Sequence, residues 1–574
     1  MFGLRDKPGL RYNKAILKIF ASKLFFIILF VAIVLRVFAL GEVPPGVNRD
    51  EASIGYTAYS LLYTGKDEYG RWLPVSFQSF GDWKLPVYIY ETVLSVAIFG
   101  LNTFAVRFPS AVAGVILVVL SYFLTKKLFK DKTLALAVMF LTAISPWSIH
   151  FSRVGAETNT AACLVTGGVL LFLHSLKKQG WLVIPAAVLL ALSFGTYAAN
   201  FIFTPLLVMG LFLLYRKEFL SNPSSWIAIV IFIFLSGFLW LQVTGANVTK
   251  ISGTGIFGDP AVVNAEIEIP RNEHLKGTRK IAQFLHNKAQ YGAGRFVQNY
   301  LNAFSPEFLF FRGGGNHAHN ILNFGNMYLV EALFLFLGFA YLIMGKKDKS
   351  ALLVLWWFLI SPLAASITKD APHTARMFAI FPMLPLVTAF GLLWLVKLLS
   401  GLLRYGVIVL IVVLLGYNIS LYLDRYYIHF PYEEGQSWGV LYQQINTILS
   451  QKQFANKKVV MGNVQESPYI YFLFYGKYDP RLYQKQAIRY PMTSEGFVHV
   501  KQFGRYTFRD IDWSKDPNLN NTYLIARSDS IPLKIKKRFK IINVSLPSGN
   551  PMYSIVEGTD KIKIPPDKYL PLPL

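Results

Sequence analysis

Charged side chains are scarce in this chain, so the few that gather beside apolar segments are the first places to look for chemistry. Asn48-Arg49-Asp50-Glu51 follows a Pro-Pro-Gly turn at 44–46, directly after an apolar run. Two adjacent carboxylates can divide proton transfer between them, one accepting the proton and one orienting the groups involved. The same acids can instead cap the helix predicted over 52–63, because Asp and Glu suit a positive helix N-terminus. Gly81-Asp82-Trp83-Lys84-Leu85-Pro86 sets one lysine among aromatic residues. At headgroup level an ammonium can hold a lipid phosphate as a point charge, or lay its stem along apolar surface.

Three further clusters have the same character. Pro146 to Glu157 reads as a very short turn between apolar runs, with Arg153 and Glu157 at a spacing of one helical turn. That pair is either a local salt bridge or part of a site. The turn 366–378 offers Lys369, His373 and Arg376, and the loop Arg312-Gly313-Gly314-Gly315-Asn316-His317-Ala318-His319-Asn320 combines free backbone with two histidines. Glu307 is the nearest carboxylate to that loop, so it reads as a glycine-rich substrate or acceptor loop rather than a metal site. No phosphate-binding loop, dinucleotide fingerprint or Ser-His-Asp motif is recognisable. The single cysteine, Cys163, excludes an intrachain disulfide and a cysteine-rich metal site.

These residues must be positioned by membrane helices. Of 574 residues 53% are hydrophobic and 16% charged, too few charges for an ordinary soluble enzyme and too many apolar residues for a disordered chain. A hydrocarbon layer about 30 Å thick needs roughly 20 apolar residues per helix. Such windows predict eleven spans near 20–40, 103–125, 133–151, 157–175, 181–199, 201–216, 225–243, 326–344, 350–367, 375–396 and 403–422. The first lacks a small-residue cleavage site and reads as a signal anchor. Segment 85–100 is short, carries Glu91, and reads as an interfacial or re-entrant helix rather than a twelfth span, although an ordinary short span is the alternative.

Loop charge supports that choice. Without a span at 85–100, the basic loops at Lys126 to Lys132, Lys177 and Lys178, Arg216 and Lys217, Lys346 to Lys349, and Lys397 to Arg404 share one side with Arg5, Lys7, Arg11, Lys14 and Lys18. The positive-inside rule makes that side cytoplasmic. The formal net charge of +25 then serves orientation and does not require a nucleic acid. Short loops on the opposite side should be poor in arginine, so Arg153 and Arg376 run against the bias. This topology predicts a multi-pass membrane module over 1–423, with extracytoplasmic pieces at 41–102 and 244–325, and an extracytoplasmic tail at 424–574. The tail carries 21 basic and 13 acidic residues and reads as a soluble α/β domain. Helices are predicted near 434–452 and 467–476, with strands at 458–462, 522–527, 538–546 and 552–557.

The stretch from Arg49-Asp50-Glu51-Ala52-Ser53 through Lys84, LNTFAVRFPSAVAGVILVVLSYFLTKKLF at 101–129 and PWSIHFSRVGAE at 146–157 resembles the membrane glycosyltransferases of the C-type fold that use lipid-phosphate sugars. The nearest likeness is to the bacterial protein O-mannosyltransferase and aminoarabinose transferase superfamily. It is strongest over 20–175 and returns at 312–338 and 362–392. The resemblance implies a catalytic Asp50, a Lys84 that contacts the lipid-linked phosphate, and a donor that is a polyprenyl-phosphate sugar. Where such proteins often have two prolines after the lysine, Leu85 stands in place of the first, and the backbone there is less restricted. On this reading Asp50 is the base and Glu51 a second catalytic residue that orients the sugar or the base. Arg153 or Arg376 joins Lys84 around the phosphate, and Glu157 and His373 complete the substrate-binding set. Inversion at the anomeric carbon is expected, with a protein, lipid or glycan acceptor and no required cofactor, a divalent metal held by Asp50 and Glu157 being the alternative. The competing class is a transporter or flippase of lipid-linked sugars, which would more often show repeated halves with broken helices; no such symmetry is visible.

Overall fold

The computed structural model describes residues 14–558, apart from 178, 276–277, 346–347 and 494–495. Arg5, Lys7, Arg11, Lys178, Lys346 and Lys347, which enter the orientation argument above, lie outside the described residues. The chain opens with helix α1 (Lys14–Val37), a loop, and α2 (Arg49–Thr64). A small hairpin follows, β1 (Phe77–Ser79) and β2 (Asp82–Lys84), then α3 (Pro86–Phe99) and α4 (Thr103–Phe129). The bundle continues with α5 (Lys132–Ile144), α6 (Pro146–Arg153), α7 (Glu157–Ser175), α8 (Val183–Leu192), α9 (Asn200–Leu220) and α10 (Ser224–Thr254). Three helices, α11 (Pro260–Asn272), α12 (Arg279–Leu285) and α13 (Lys288–Asn302), occupy the long loop before the bundle resumes. It resumes as α14 (Glu331–Met344), α15 (Lys349–Ile360), the single turn α16 (Leu363–Ser366), α17 (Met383–Leu398) and α18 (Gly401–Asp424).

The chain is a helical multi-pass membrane protein, but the count of eleven spans is not confirmed. Among the described residues six helices are long and apolar enough to cross a membrane, or seven if α5 and α6, bent by 55°, form one span. Four shorter apolar helices lie at 86–99, 180–195, 331–344 and 383–398. Proline explains much of the shortfall, since its ring cannot continue a helix without loss of a hydrogen bond. Pro146 restarts the chain as α6, and the segment expected to begin at 375 becomes α-helical only at Met383, after Pro382. Segment 85–100 is a 14-residue helix, with Leu85 at its N-cap and Pro86 in its first turn.

After α18 the chain passes through α19 (Phe430–Glu433) into an α/β region: α20 (Val440–Leu449), β3 (Lys458–Met461), α21 (Tyr469–Tyr475), α22 (Pro480–Gln486), β4 (Ile488–Arg489), β5 (Val500–Phe503), β6 (Tyr506–Phe508), β7 (Thr522–Arg527), α23 (Leu533–Arg538), β8 (Ile541–Ser545) and β9 (Pro551–Glu557). Its sheet has the order β4-β5-β6-β3-β7-β9-β8, with β3 parallel to β6 and β7 and the other pairs antiparallel. This tail does not stand apart from the loop at 41–102. Buried apolar residues from 47–106 and from 441–555 form one continuous core. Helix α21 lies against α2 so closely that a side chain at Gly55 would collide with the Phe474 ring. The Tyr475 hydroxyl accepts the Val47 N–H at 3.1 Å, and Tyr56 donates to the Tyr478 carbonyl at 3.1 Å.

Candidate active site

The site begins with the capping chemistry of α2. Asn48 is the N-cap, its side chain accepting from the Glu51 N–H at 2.9 Å, while Glu51 reaches back to accept the Asn48 N–H at 3.1 Å. This reciprocal cap sets the rotation of the first turn. Glu51 points inward, fully buried, and Asp50 points outward with its side chain 59% exposed. Asp50 Oδ1 lies 2.7 Å from Nζ of Lys84, which is itself 7% exposed.

Lys84 reaches this position from the end of β2. The turn of its hairpin is Phe80-Gly81, and Phe80 has a φ of +61°, a conformation that a bulky side chain adopts only when neighbours hold it. Those neighbours are visible. Arg49 stacks over the Phe80 ring at 4.8 Å, Tyr469 meets it edge-on at 6.0 Å, and the Phe80 carbonyl accepts the Val498 N–H at 3.3 Å. The C-terminal region therefore holds the turn that presents Lys84.

Glu51 is placed differently from its expected catalytic role. Arg107 donates from Nε to Oε1 at 2.8 Å and from Nη2 to Oε2 at 3.0 Å, and the Gly155 N–H donates to Oε1 at 2.7 Å. The same guanidinium donates to the carbonyls of Leu40, Pro44 and Gly46 and stacks over Trp438 at 5.3 Å. Glu51 and Arg107 form a buried tie between the loop after α1, α2, α4 and the start of α7. Arg153 is likewise buried in scaffold contacts. Its two terminal nitrogens donate to the carbonyls of Leu35, Phe38, Ala39 and Val43, and its guanidinium lies 5.5 Å from Tyr426 and 5.0 Å from Tyr427. A cation at a helix C-terminus satisfies carbonyls that the helix leaves open, so Arg153 caps the end of α1 instead of joining Lys84. Arg153 and Glu157 do not share a helix, because the chain breaks at 154–156 between α6 and α7. Glu157 is the first residue of α7 and is half-buried.

The turn expected to supply His373 and Arg376 packs on His319, whose imidazole feels the Asp50 charge. Arg376 is ion-paired to Asp370 and donates to Thr368 Oγ1 at 3.0 Å. His373 accepts the Arg376 N–H on Nδ1 at 3.3 Å, which leaves its Nε2–H directed at Asp370, 3.7 Å away. Its ring meets His319 edge to face at 5.1 Å. Burial lowers the His319 imidazole to about 4, with the Asp50 carboxylate opposing the shift and Arg376 adding to it. Burial, Arg376 and His319 together hold His373 well below its ordinary range. Burial would raise the Asp370 carboxyl, but Arg376 beside it keeps it below its usual value. The site thus joins Asp50 and Lys84 with His319, His373, Asp370 and Arg376. It holds two cations, each on a carboxylate, and two imidazoles held neutral.

Asp370 and Arg107 were not singled out from sequence, and His319 only as one of the two histidines of the glycine-rich loop. Arg107 carried a readable signal, an arginine near the start of a long apolar helix, since such residues persist only with partners. Asp370 carried none, because its pairing depends on a turn. Among the described residues no group of three His, Cys, Asp or Glu side chains could hold a metal ion.

Comparison with known proteins adds to this geometry. Residues 84–240 match the dolichyl-phosphate-mannose-protein mannosyltransferase family. The crystal structure of ArnT from Cupriavidus metallidurans bound to undecaprenyl phosphate superimposes with a TM-score of 0.54 at 12% identity, over 93% of this chain and 98% of that one. The Archaeoglobus fulgidus oligosaccharyltransferase, tethered with an acceptor peptide, gives a TM-score of 0.51 at 13% identity, over 95% of this chain and 74% of that one. No match is found among curated proteins. The protein has the C-type glycosyltransferase fold of multi-pass membrane proteins. The resemblance to the polyprenyl-phosphate-dependent transferases, with the mannosyltransferase family matched from Lys84 onward, is borne out.

Proposed function

We propose that this chain is an inverting glycosyltransferase, moving a sugar from a polyprenyl-phosphate donor to an acceptor hydroxyl at the extracytoplasmic face of the membrane. The observation that carries the reading is the Asp50–Lys84 pair, an exposed carboxylate 2.7 Å from a nearly buried ammonium. The donor brings its own leaving group. The protein must therefore take a proton from the acceptor and balance the charge that gathers on the phosphate.

Donor phosphate replaces Asp50 as the partner of Lys84, and Arg376 reaches the same phosphate by leaving Asp370. Asp50, released, accepts the proton of the acceptor hydroxyl. The oxygen bonds to the anomeric carbon from the face opposite the phosphate, and the carbon–oxygen bond to the phosphate breaks with its electron pair on the phosphate. His373 and Glu157 line the approach, while Glu51 and Arg153 hold the scaffold. The matched family and the ArnT structure with undecaprenyl phosphate support a lipid-phosphate donor. We read the transfer as independent of a divalent cation, because Lys84 and Arg376 can supply the countercharge.

The test uses the purified chain in liposomes with a labelled polyprenyl-phosphate mannose. Transfer or hydrolysis of the label is expected, with an inverted anomeric product by NMR and an unchanged rate in EDTA. Loss in EDTA restored by Mn²⁺ contradicts the cation-free mechanism. Absence of turnover with several polyprenyl-phosphate sugars contradicts the transfer reading.

A further inference from the structure

The glycine-rich loop is held more firmly than its composition suggests. Asn320 Oδ1 accepts the Gly314 N–H at 2.8 Å and the Thr374 hydroxyl at 2.6 Å, and Asn320 Nδ2 donates to the Asn316 carbonyl at 2.8 Å. His150 Nε2 lies 3.1 Å from the Ala318 carbonyl. On this fixed loop the His317 side chain is 60% exposed, yet its Nδ1 lies 2.9 Å from Oε1 of Glu434, which is 5% exposed. Glu434 comes from another part of the chain, just after α19, and its Oε2 accepts the Ser437 hydroxyl at 3.0 Å.

A carboxylate oxygen only accepts, so Nδ1 is the donor. In the neutral ring the lone pair then sits on Nε2, the other nitrogen of this exposed side chain. A buried acid behind an imidazole fixes the tautomer and stabilises the imidazolium that forms when the ring takes a proton. The other charged groups close by are already partnered. Arg312 pairs with Glu307 at 2.8 Å and Arg425 with Glu433 at 2.7 Å, so neither takes Glu434 from His317. His319, two residues along, meets the His373 ring edge to face at 5.1 Å, so this loop packs on the turn that carries Asp370 and Arg376.

We propose that His317, oriented by Glu434, is a further catalytic residue and the terminal proton acceptor of the transfer. The proposal rests on the glycosyl-transfer reading above. The acceptor O–H breaks, its oxygen bonds to the anomeric carbon, and the phosphate leaves with the electron pair of the broken bond. The proton passes from the hydroxyl through Asp50 or an intervening water to Nε2, and bulk water removes it between turnovers. With the proton on Nε2, Asp50 is again ionised for the next turnover, and the Glu434 carboxylate balances the imidazolium charge.

The experiment measures release of polyprenyl phosphate from labelled polyprenyl-phosphate mannose by the full chain in liposomes. His317→Ala is expected to lower kcat about 100-fold, within the usual range for a proton-transfer residue. Imidazole at tens of millimolar should restore part of the loss, because the position is open to solvent. His317→Gln keeps a donor to Glu434 but cannot take up a proton, and should be as slow as His317→Ala. Glu434→Gln should slow turnover and move the acidic limb of the pH–rate profile. A wild-type rate in His317→Gln, or a slow His317→Ala that imidazole does not rescue, would make the contact a latch and overturn the proposal. An active wild type with an unaffected His317→Ala overturns the dyad alone. A wild type inactive with every such donor overturns the transfer reading and the dyad with it.

Discussion

Asp50 and Glu51 are adjacent, both acidic and both ion-paired, yet they lie in opposite surroundings. Asp50 meets Lys84 with its own side chain 59% exposed, whereas Glu51 meets Arg107 with both side chains buried. A pair with one exposed member can trade its carboxylate for another anion at less cost than a fully buried one, which is what the proposed exchange with the donor phosphate requires. A buried pair with every donor matched cannot be opened without stranding a charge. The same ion-pair chemistry thus gives an accessible pair in one case and a structural tie in the other, and the difference is set by one step of helix rotation.

The comparison can be broken most directly at the exposed member. Asp50→Asn should lower transfer by about 10²–10⁴-fold while thermal unfolding stays near that of the wild type. A normal rate would remove Asp50 from the mechanism. The buried pair should respond the other way: Arg107→Ala strands the Glu51 carboxylate and should cost about 3–5 kcal/mol, seen as a lowered unfolding temperature and poor yield. Should that variant prove as stable as the wild type, the tie between α2 and α4 is not structural. Lys84→Ala lies between these, and should weaken donor binding by roughly tenfold, in line with one charged hydrogen bond, with acceptor KM little changed. Equal effects on both substrates would argue against a phosphate contact.

The smallest expected effect concerns Glu68, buried where the loop after α2 meets the C-terminal region. Its carboxyl is raised from 4.5 to about 7 by burial, against the pull of Arg489. Because the folded value is the higher one, the folded state binds the proton more tightly, and stability should fall as pH rises from about 4.5 to 7. Glu68→Gln should flatten that slope in thermal unfolding followed between pH 5 and 8. An unchanged slope would assign it to other groups.

Much of the frame was legible in the residues. Strand 522–527 was predicted with its observed bounds, and 458–462 and 552–557 to within one residue, because strongly apolar β-branched runs report their own state. The short helix at 85–100 was visible from its length and Glu91. Less was legible where proline and loop geometry act: the span expected from 375 begins at 383, and the short strands β4 to β6 at one end of the sheet were not anticipated, since their few residues lack a clear alternation.

What the sequence determined by itself was the kind of environment: a membrane bundle, an α/β tail, and an Asp-Glu pair and a lysine at its mouth. Those follow from hydropathy and local capping, which act over a few residues. Only the tertiary structure decided which acid faces the cleft and that Arg153 closes the end of α1. It also decided that Asp370 holds Arg376 and that Glu434 stands behind His317. Each of these depends on groups that are far apart in the chain, as with the 117 positions between His317 and Glu434. Their meeting is set by how the bundle and the C-terminal region pack, which no local pattern of residues encodes.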